Sequence, residues 1–303
     1  MAHSGIIEDL YQGSEEIPFT ASKFTRLPDI DLESMFEDNF YIDRNVQCVI
    51  QLSRNKFIVS MTDRTIYEID LTTSGRVTSE MIGWGRLEKI SENNFISGCN
   101  TILVYWSKTN NDWKSTSIET TNSCLDVGFV DGYLVLTFID GSVMIKQLKG
   151  KCQDRKSIIV AHVRGEYETH DLLEANRLMK NSTRYVSAVN ENGTPVIYVS
   201  DAASLTTNQI TKLSVEGKEL MVYNDLAFQD AGPIAATGDG HLFVCFPDQC
   251  CIQLLTPDMD RGVTVLAQTD GISRPVQIWY NSEEKKMYIL NEDSLSIMVF
   301  EIN

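Results

Sequence analysis

Four arginines stand just ahead of apolar stretches, although the 303-residue chain contains only 26 lysines and arginines. They are Arg44, Arg86, Arg184 and Arg274. A fifth, Arg64, lies between two further apolar stretches, and Trp84, flanked by glycines, precedes Arg86. A guanidinium group presents a rigid fork of donors that suits carboxylate and phosphate groups, and a Trp–Arg pair is a frequent interface anchor. These six residues are therefore the candidate partner-binding residues, and they predict recognition of an acidic or phosphorylated segment.

The chain offers little material for acid–base or nucleophilic catalysis. It contains no Gly-x-Ser-x-Gly, His-Glu-x-x-His or P-loop pattern, and only four histidines. We therefore predict no catalytic residue, no metal ligand and no cofactor. A metal-dependent hydrolase or lyase stays open as an alternative, because carboxylates and amides at strand ends can hold a divalent ion. The candidates for that alternative are Asn100, Asp126, Asp201 and Asp293.

Cysteine usage and the apolar profile predict a cytoplasmic protein. The seven cysteines are odd in number, form no Cys-x-x-Cys pair and lie mostly among apolar residues, which is typical of reduced, packed thiols. The N-terminus has neither the basic nor the apolar region of a signal peptide. No run of about 18 apolar residues occurs, so no membrane association is predicted.

The charge balance limits the classes of partner. The chain has 42 aspartates and glutamates against 26 lysines and arginines, a formal net charge of −16. A nucleic acid or an acidic membrane surface would meet net repulsion. The charge therefore disfavours nucleic acid and leaves a protein as the expected partner, with the oligomeric state open.

One structural unit recurs along the chain: an apolar strand, a tight turn, a second apolar strand, a polar turn and a third, alternating strand. Equivalent positions of the second strand are spaced by 38, 39, 63, 45 and 45 residues. They are Phe57, Phe95, Leu134, Ile197, Leu242 and Met287. A period of about 40 to 45 residues with short strands is typical of propeller blades. The sequence thus predicts an all-β protein with a six-bladed β-propeller.

The two irregular parts of this repeat carry further predictions. The long spacing contains residues 150–180, in which an amphipathic pattern predicts a short helical insertion near 165–180. The sixth unit ends at Asn303 after its third strand, so we expect a strand from the N-terminal segment, within residues 20–41, to close the propeller. Residues 1–16 are predicted to be a flexible arm and residues 17–303 a single propeller.

The later units resemble NHL repeats. The resemblance rests on Arg184–Gly193, Ile197–Ala202 and Gln209–Lys218, and on Gly271–Val276 followed by Lys286–Leu290. The spacing is similar to the C-terminal propellers of tripartite-motif NHL-repeat proteins, especially divergent invertebrate members. This resemblance implies a recognition domain whose partner is a protein or an RNA. WD40 propellers are a rival, but no Trp-Asp dipeptide ends the units.

In a propeller, the loops that precede the inner strands share one face with the loops between second and third strands. The five arginines and Trp84 should therefore lie on one face, and we predict an interaction scaffold that binds its partner there. Three alternatives stay open. The arginines could instead tie neighbouring blades together, the central channel could hold a metal-dependent hydrolase or lyase, or an NHL domain could bind RNA.

Overall fold

The computed structural model describes residues 24–36, 45–73, 76–83, 85–147, 174–175, 183–204, 207–224, 231–292 and 294–303. Its first elements are strand β1 (Phe24–Asp31) and a 3-10 turn at Glu33–Met35. All the longer elements in these ranges are strands. The predicted arm, residues 1–16, lies outside the described residues.

Four of the predicted units form four-stranded antiparallel sheets in which sequential strands are neighbours. The first sheet has β2 (Val46–Ser53), β3 (Lys56–Met61), β4 (Thr65–Asp70) and β5 (Arg76–Ile82). Next along the chain come strands β6 to β11, which belong to a separate sheet. Their bounds are Arg86–Ser91, Asn94–Thr109, Asp112–Val130, Tyr133–Phe138, Val143–Gln147 and Glu174–Ala175. The fourth unit has β12 (Thr183–Glu191), β13 (Thr194–Ser204), β14 (Thr207–Ser214) and β15 (Glu219–Tyr223). The fifth has β16 (Ile234–Ala236), β17 (Leu242–Phe246), β18 (Cys251–Leu255) and β19 (Gly262–Leu266).

The last sheet closes the fold with the N-terminal strand. Strands β20 (Pro275–Asn281), β21 (Lys286–Asn291) and β22 (Ser296–Ile302) follow one another, and β1 adds antiparallel to β22, with Phe24 opposite Ile302. The pairing covers an edge of β22 that would otherwise expose unpaired backbone groups. The predicted closure by a strand from within residues 20–41 is thereby confirmed.

The second and third predicted units share one six-stranded sheet, β6 to β11. The first half of β7 pairs with β6, its second half pairs with the first half of β8, and the rest of β8 pairs with β9. The described residues therefore form four separate four-stranded blades rather than six, and the predicted blade count is wrong. Residues 119–124 give a physical reason for the merging of the two units. They lack glycine and proline and include two threonines, so the chain stays extended where a break between two units was expected.

The predicted helix near 165–180 is also wrong where the structure describes it. Glu174 and Ala175 form the short strand β11, and they pair antiparallel with Met144 and Val143 of β10. Strand pairing here satisfies backbone groups at the edge of β10, which a local helix would leave unpaired. The helical spacing of apolar residues in this segment was therefore a weaker determinant of its structure than the backbone pairing with β10.

The hydrophobic core lies between consecutive units. Ile58 of the first unit packs in one cluster with Phe95 of the second, and further clusters join each later pair of units. Phe57 of the first unit shares a cluster with Tyr288 of the last. The apolar faces of the sheets are therefore buried against one another in a closed sequence, and the first strands of the units surround a central channel.

Candidate functional site

The central channel is lined by the first strand of every unit. Strands β2, β6, β12, β16 and β20 and the second half of β8 border one cavity of about 440 Å³. At the end where these strands finish, a second cavity of about 860 Å³ adjoins it, and the two share Gln51, Lys89, Asn281 and Glu283. The channel therefore opens into a groove on the face opposite to the starts of the first strands.

Side chains of the channel wall bond to the backbone of the next first strand. Gln277 on β20 accepts the Val49 N–H and donates to the Val49 carbonyl, both at 2.7 Å. Asp126 Oδ2 on β8 accepts the Val186 N–H at 2.9 Å, and Ser187 Oγ accepts the Ala236 N–H at 3.1 Å. These bonds connect neighbouring units around the channel and satisfy inner-edge N–H groups that have no strand partner.

Arg86 extends from the start of β6 into this channel. Its guanidinium donates to the Val276 carbonyl of β20 at 3.3 Å and lies 5.0 Å from the ring centroid of Tyr185 on β12. It also interacts with the Cys48 thiol and the Asp126 carboxylate. Burial disfavours the guanidinium charge, but the Asp126 carboxylate, together with Tyr185 and Cys48, outweighs this effect and raises the pKa of Arg86.

Two carboxyl groups in the channel have raised pKa values. Burial raises the pKa of Glu88 to about 8, and the charge of neighbouring Asp126 adds to this, against the opposing Phe129 N–H. Burial also raises the pKa of Asp126 to about 6, although Arg86 and the N–H groups of Val186 and Val127 oppose it. At neutral pH, Asp126 is therefore mostly ionised, whereas Glu88 mostly keeps its proton.

Cys48 completes the set of titratable groups. Burial raises the pKa of its thiol to about 11. The sulfur accepts the Leu87 N–H at 3.3 Å and lies 3.2 Å from Gln277 Nε2. This thiol is protonated at physiological pH and packs as a neutral group.

The structure describes the side chains of three of the six predicted partner-binding residues, Arg64, Arg86 and Arg274. Arg86 lies in the channel, where its bond to the Val276 carbonyl matches the alternative that arginines tie units together. Arg64 in the β3–β4 turn is exposed, and Arg274 is exposed just ahead of β20. Arg274 Nε pairs with Glu292 at 2.5 Å, and Nη2 lies 3.9 Å from Asp248. Arg44 and Trp84 lie outside the described residues, as does the side chain of Arg184.

Two of the four residues considered for a metal site, Asn100 and Asp126, have side chains that the structure describes. In the part of the chain that the structure describes, no group of three His, Cys, Asp or Glu residues could hold a metal ion. Asp126 lies in the channel and is committed to backbone N–H groups, whereas Asn100 lies in the bend of β7 with φ 53°. The side chain of Asp201 and all of Asp293 fall outside the described residues.

Sequence reasoning did not select the other polar residues of the channel. Glu88, Tyr185, Gln277 and Cys48 each stand within a predicted first strand. One signal in the sequence could have identified them. Arg86 and Glu88 are titratable side chains two residues apart, and they lie in an apolar strand that is expected to be covered on both faces. A charged side chain in such a strand must either form a hydrogen bond or ion pair or lose its charge, and it is therefore a candidate site residue.

Sheets arranged around a strand-lined channel define a β-propeller, and known structures with this fold agree. The β-propeller domain of Myceliophteria thermophila Cps50 (Swd1) superposes with a TM-score of 0.58 at 8% identity, over 86% of this chain and 84% of that one.

A Bacteroides thetaiotaomicron protein of unknown function superposes with a TM-score of 0.62 at 12% identity, over 85% of this chain and 69% of that one. At these identities the likeness concerns the fold alone. No protein-family model matches the sequence, and no curated protein sequence matches it either. Within the described ranges, no helix has the length and apolar character needed to cross a bilayer.

Proposed function

We propose that this β-propeller is an interaction module of NHL type that binds an acidic or phosphorylated segment of a protein partner. The binding surface is the face on which the first strands begin, called here the arginine face. It is defined by Arg64 and Arg274 together with Arg44, Trp84 and Arg184, whose places follow from the sequence repeat. β-Propellers commonly serve as interaction scaffolds, and the resemblance to NHL repeats favours the same role.

The backbone at the two exposed arginines carries this proposal. Arg64 has φ 73° and Arg274 has φ 46°, a left-handed conformation that suits glycine and costs an arginine about 1 kcal/mol. Each arginine thus occupies a position where a glycine would be less strained. Strain of this kind is concentrated at functional sites, which supports a role for these side chains beyond folding.

The surroundings of Arg274 indicate the chemistry of the partner. Its guanidinium already pairs with the Glu292 carboxylate, and both side chains are close to half exposed. Exposed ion pairs contribute at most about 1 kcal/mol, so an incoming carboxylate or phosphate can replace Glu292 at low cost. A phosphate, with its higher charge and three acceptor oxygens, would compete best.

The proposal is tested by quantitative affinity capture from native extract with a double variant, Arg64→Gly and Arg274→Gly. The matched control is Arg54→Gly with Arg261→Gly, which removes the same charge from exposed arginines in turns of the opposite face. We expect the wild type and the control to retain the same protein in similar amounts. The test variant should retain at least tenfold less of it. Equal retention by all three would overturn the proposal, and retained nucleic acid would favour RNA binding.

A cytoplasmic location belongs to the same proposal. The five cysteines whose side chains are described are free thiols, and four of them are buried. Buried free thiols suit a reducing compartment. Fractionation of cells that express the tagged chain tests this location.

A further inference from the structure

The turn between β17 and β18 ends in two adjacent thiols. Cys250 follows the 3-10 turn Pro247–Gln249, and Cys251 is the first residue of β18. Both thiols are free. The Cys250 side chain is partly exposed, whereas Cys251 is buried in the hydrophobic cluster between the fourth and fifth units. An accessible thiol beside a second thiol is the arrangement in which oxidation of the first is resolved by the second.

Cys250 has a backbone conformation that cysteine seldom adopts. Its φ is 49°, in the left-handed region that suits glycine, and its N–H donates to the Pro247 carbonyl at 3.1 Å. Its thiol donates to the same carbonyl at 3.6 Å. Burial, and then the charge of neighbouring Cys250, raise the pKa of Cys251, so the two thiols are close enough to interact. A cysteine where glycine would be less strained indicates a role for its sulfur.

The same turn contacts an arginine of the arginine face. It joins the second and third strands of the fifth unit, as the turn that contains Arg64 does in the first unit. Asp248 Oδ1 lies 3.9 Å from Arg274 Nη2, and both side chains are more than half exposed. This separation is close to the outer limit of an ion pair, so a small movement of the turn breaks the contact. The conformation of residues 247–250 therefore affects the negative charge that surrounds Arg274.

We propose that Cys250 and Cys251 form a reversible disulfide that regulates anion binding at Arg274, an inference that rests on the proposed function of the arginine face. A peroxide oxidises the Cys250 thiol to a sulfenic acid, and one water is released. The Cys251 thiol then attacks the Cys250 sulfur, the S–S bond forms, and the hydroxyl group leaves as a second water. A dithiol reduces the disulfide by exchange and is itself oxidised to a disulfide.

The disulfide is easily reduced, and its formation moves the turn. The Cα atoms of adjacent residues are about 3.8 Å apart, whereas disulfides usually join Cα atoms about 4.4–6.8 Å apart, so the closed ring is strained. To reach Cys251, the Cys250 sulfur must turn away from the Pro247 carbonyl, and the left-handed backbone must change. Asp248 lies two residues earlier and moves with the turn. Arg274 then has one carboxylate fewer beside it and binds an anionic segment more tightly.

Disulfide formation is tested on the purified chain without a partner. The reduced protein is treated with hydrogen peroxide, the remaining thiols are blocked with N-ethylmaleimide, and tandem mass spectrometry locates the disulfide. We expect it between Cys250 and Cys251, and we expect dithiothreitol to reverse it. Cys250→Ser should abolish it, whereas the control Cys245→Ala, at a buried thiol of the neighbouring strand, should keep it. Thermal unfolding checks that both variants fold. No disulfide at these positions, or one that requires Cys245, would overturn the proposal.

The effect on Arg274 is followed by the rate at which p-hydroxyphenylglyoxal modifies its guanidinium, with inorganic phosphate as the competing anion. Oxidation should lower the phosphate concentration that halves this rate by about two- to fivefold, which corresponds to the loss of one exposed ion pair. Arg26, which pairs with Asp29 in the last sheet, should show no such change, and neither should Arg274 in Cys250→Ser. A disulfide that leaves the phosphate effect at Arg274 unchanged would refute the regulation.

These measurements need no protein partner, so they separate the thiol proposal from the proposed function. A phosphate effect that depends on oxidation, together with equal capture of proteins by the wild type and the Arg64→Gly, Arg274→Gly variant, would support the disulfide and refute the proposed function alone. If both proposals hold, the oxidised wild type should retain about two- to fivefold more of the partner than the reduced wild type. Cys250→Ser should retain equal amounts under both conditions.

Discussion

The Asp126 carboxylate on β8 accepts the backbone N–H of Val186 on β12 at 2.9 Å, and thereby joins two sheets across the wall of the channel. The other carboxylate oxygen accepts the N–H of Val127 at 3.0 Å, and Arg86 lies beside the group. One side chain thus fixes the spacing of two first strands and holds the guanidinium that crosses to β20. The architecture of the channel depends on this residue more than its partial exposure suggests.

Replacing Asp126 with alanine should lower the free energy of unfolding by roughly 2–4 kcal/mol. The substitution leaves two inner N–H groups unsatisfied and leaves Arg86 without its carboxylate partner. Urea unfolding at pH 7 measures the change. Asp112→Ala, at an exposed position in the first half of β8, should change stability by less than about 0.5 kcal/mol. An equal effect of both variants would show that Asp126 has no special role.

Glu88 should make the protein less stable as the pH rises. Its pKa is about 8 in the folded chain and 4.5 without the fold, so between these values the folded state binds more protons and loses stability with increasing pH. Glu88→Gln should therefore be more stable than the wild type by roughly 1–3 kcal/mol at pH 9, and nearly equal to it at pH 5. Denaturant unfolding at both pH values measures this, and a constant difference would contradict the assignment.

Glu68 has the opposite pH dependence. It accepts from Lys108 at 2.6 Å and from Trp113 Nε1 at 3.0 Å, both of the next unit. Burial opposes ionisation, but these bonds to Lys108 and Trp113 prevail and lower the pKa of Glu68 below 4.5. Its stabilisation is present above pH 4.5 and is lost as the pH falls through the lowered value.

Glu68→Gln should therefore cost roughly 2–4 kcal/mol at pH 7, because Lys108 stays buried without its counter-ion. The difference from the wild type should shrink below pH 4.5, where the wild-type carboxyl is protonated as well. Unfolding curves from pH 3 to pH 7 give the answer. A difference that grows on acidification would contradict the ion-pair assignment.

Arg64→Gly should leave the fold intact and raise the free energy of unfolding by up to about 1 kcal/mol. Glycine relieves the left-handed backbone at φ 73°, although its greater freedom in the unfolded chain offsets part of the gain. Circular dichroism and urea unfolding of the purified variant measure this. A loss greater than 1 kcal/mol would mean that the Arg64 side chain is needed for folding, which would weaken its assignment to binding.

Truncation separates the predicted arm from the closing strand. Removing residues 1–16 should leave the unfolding transition unchanged. Removing residues 1–31 deletes β1, uncovers the edge of β22 and takes Phe24, Leu27 and Ile30 from the neighbouring hydrophobic clusters. That form should unfold at lower denaturant and aggregate. Size-exclusion chromatography with urea unfolding distinguishes the two, and equal behaviour would contradict the role of β1 in closure.

The sequence specified most of the β architecture, because apolar strands and their turns recur at regular spacing. It also specified the closing strand, since the last unit lacked one. It did not reveal the long strands β7 and β8, because nothing local signals whether threonine-rich residues continue a strand or leave it. The prediction of a helix near 165–180 was wrong because Glu174 and Ala175 pair with β10, a strand edge that is distant in the sequence.

The six candidate partner-binding residues stay a prediction, and the structure describes the side chains of three of them. Arg86 was selected because it precedes a predicted first strand. Whether its side chain faces solvent or the channel depends on the register between neighbouring sheets, which the sequence does not show. Arg64 and Arg274 lie on the exposed surface, whereas the place of Glu88 became visible only when six strands met around one cavity.

The most direct test of the arginine face is photo-crosslinking from single positions in native extract. A photoreactive amino acid is placed at position 64 or 274 and, for comparison, at position 54 or 261. We expect one common protein to be crosslinked from positions 64 and 274 and to be absent from positions 54 and 261. A partner crosslinked only from positions 54 and 261 would place the binding surface on the opposite face and would show that the arginine face is not the binding surface.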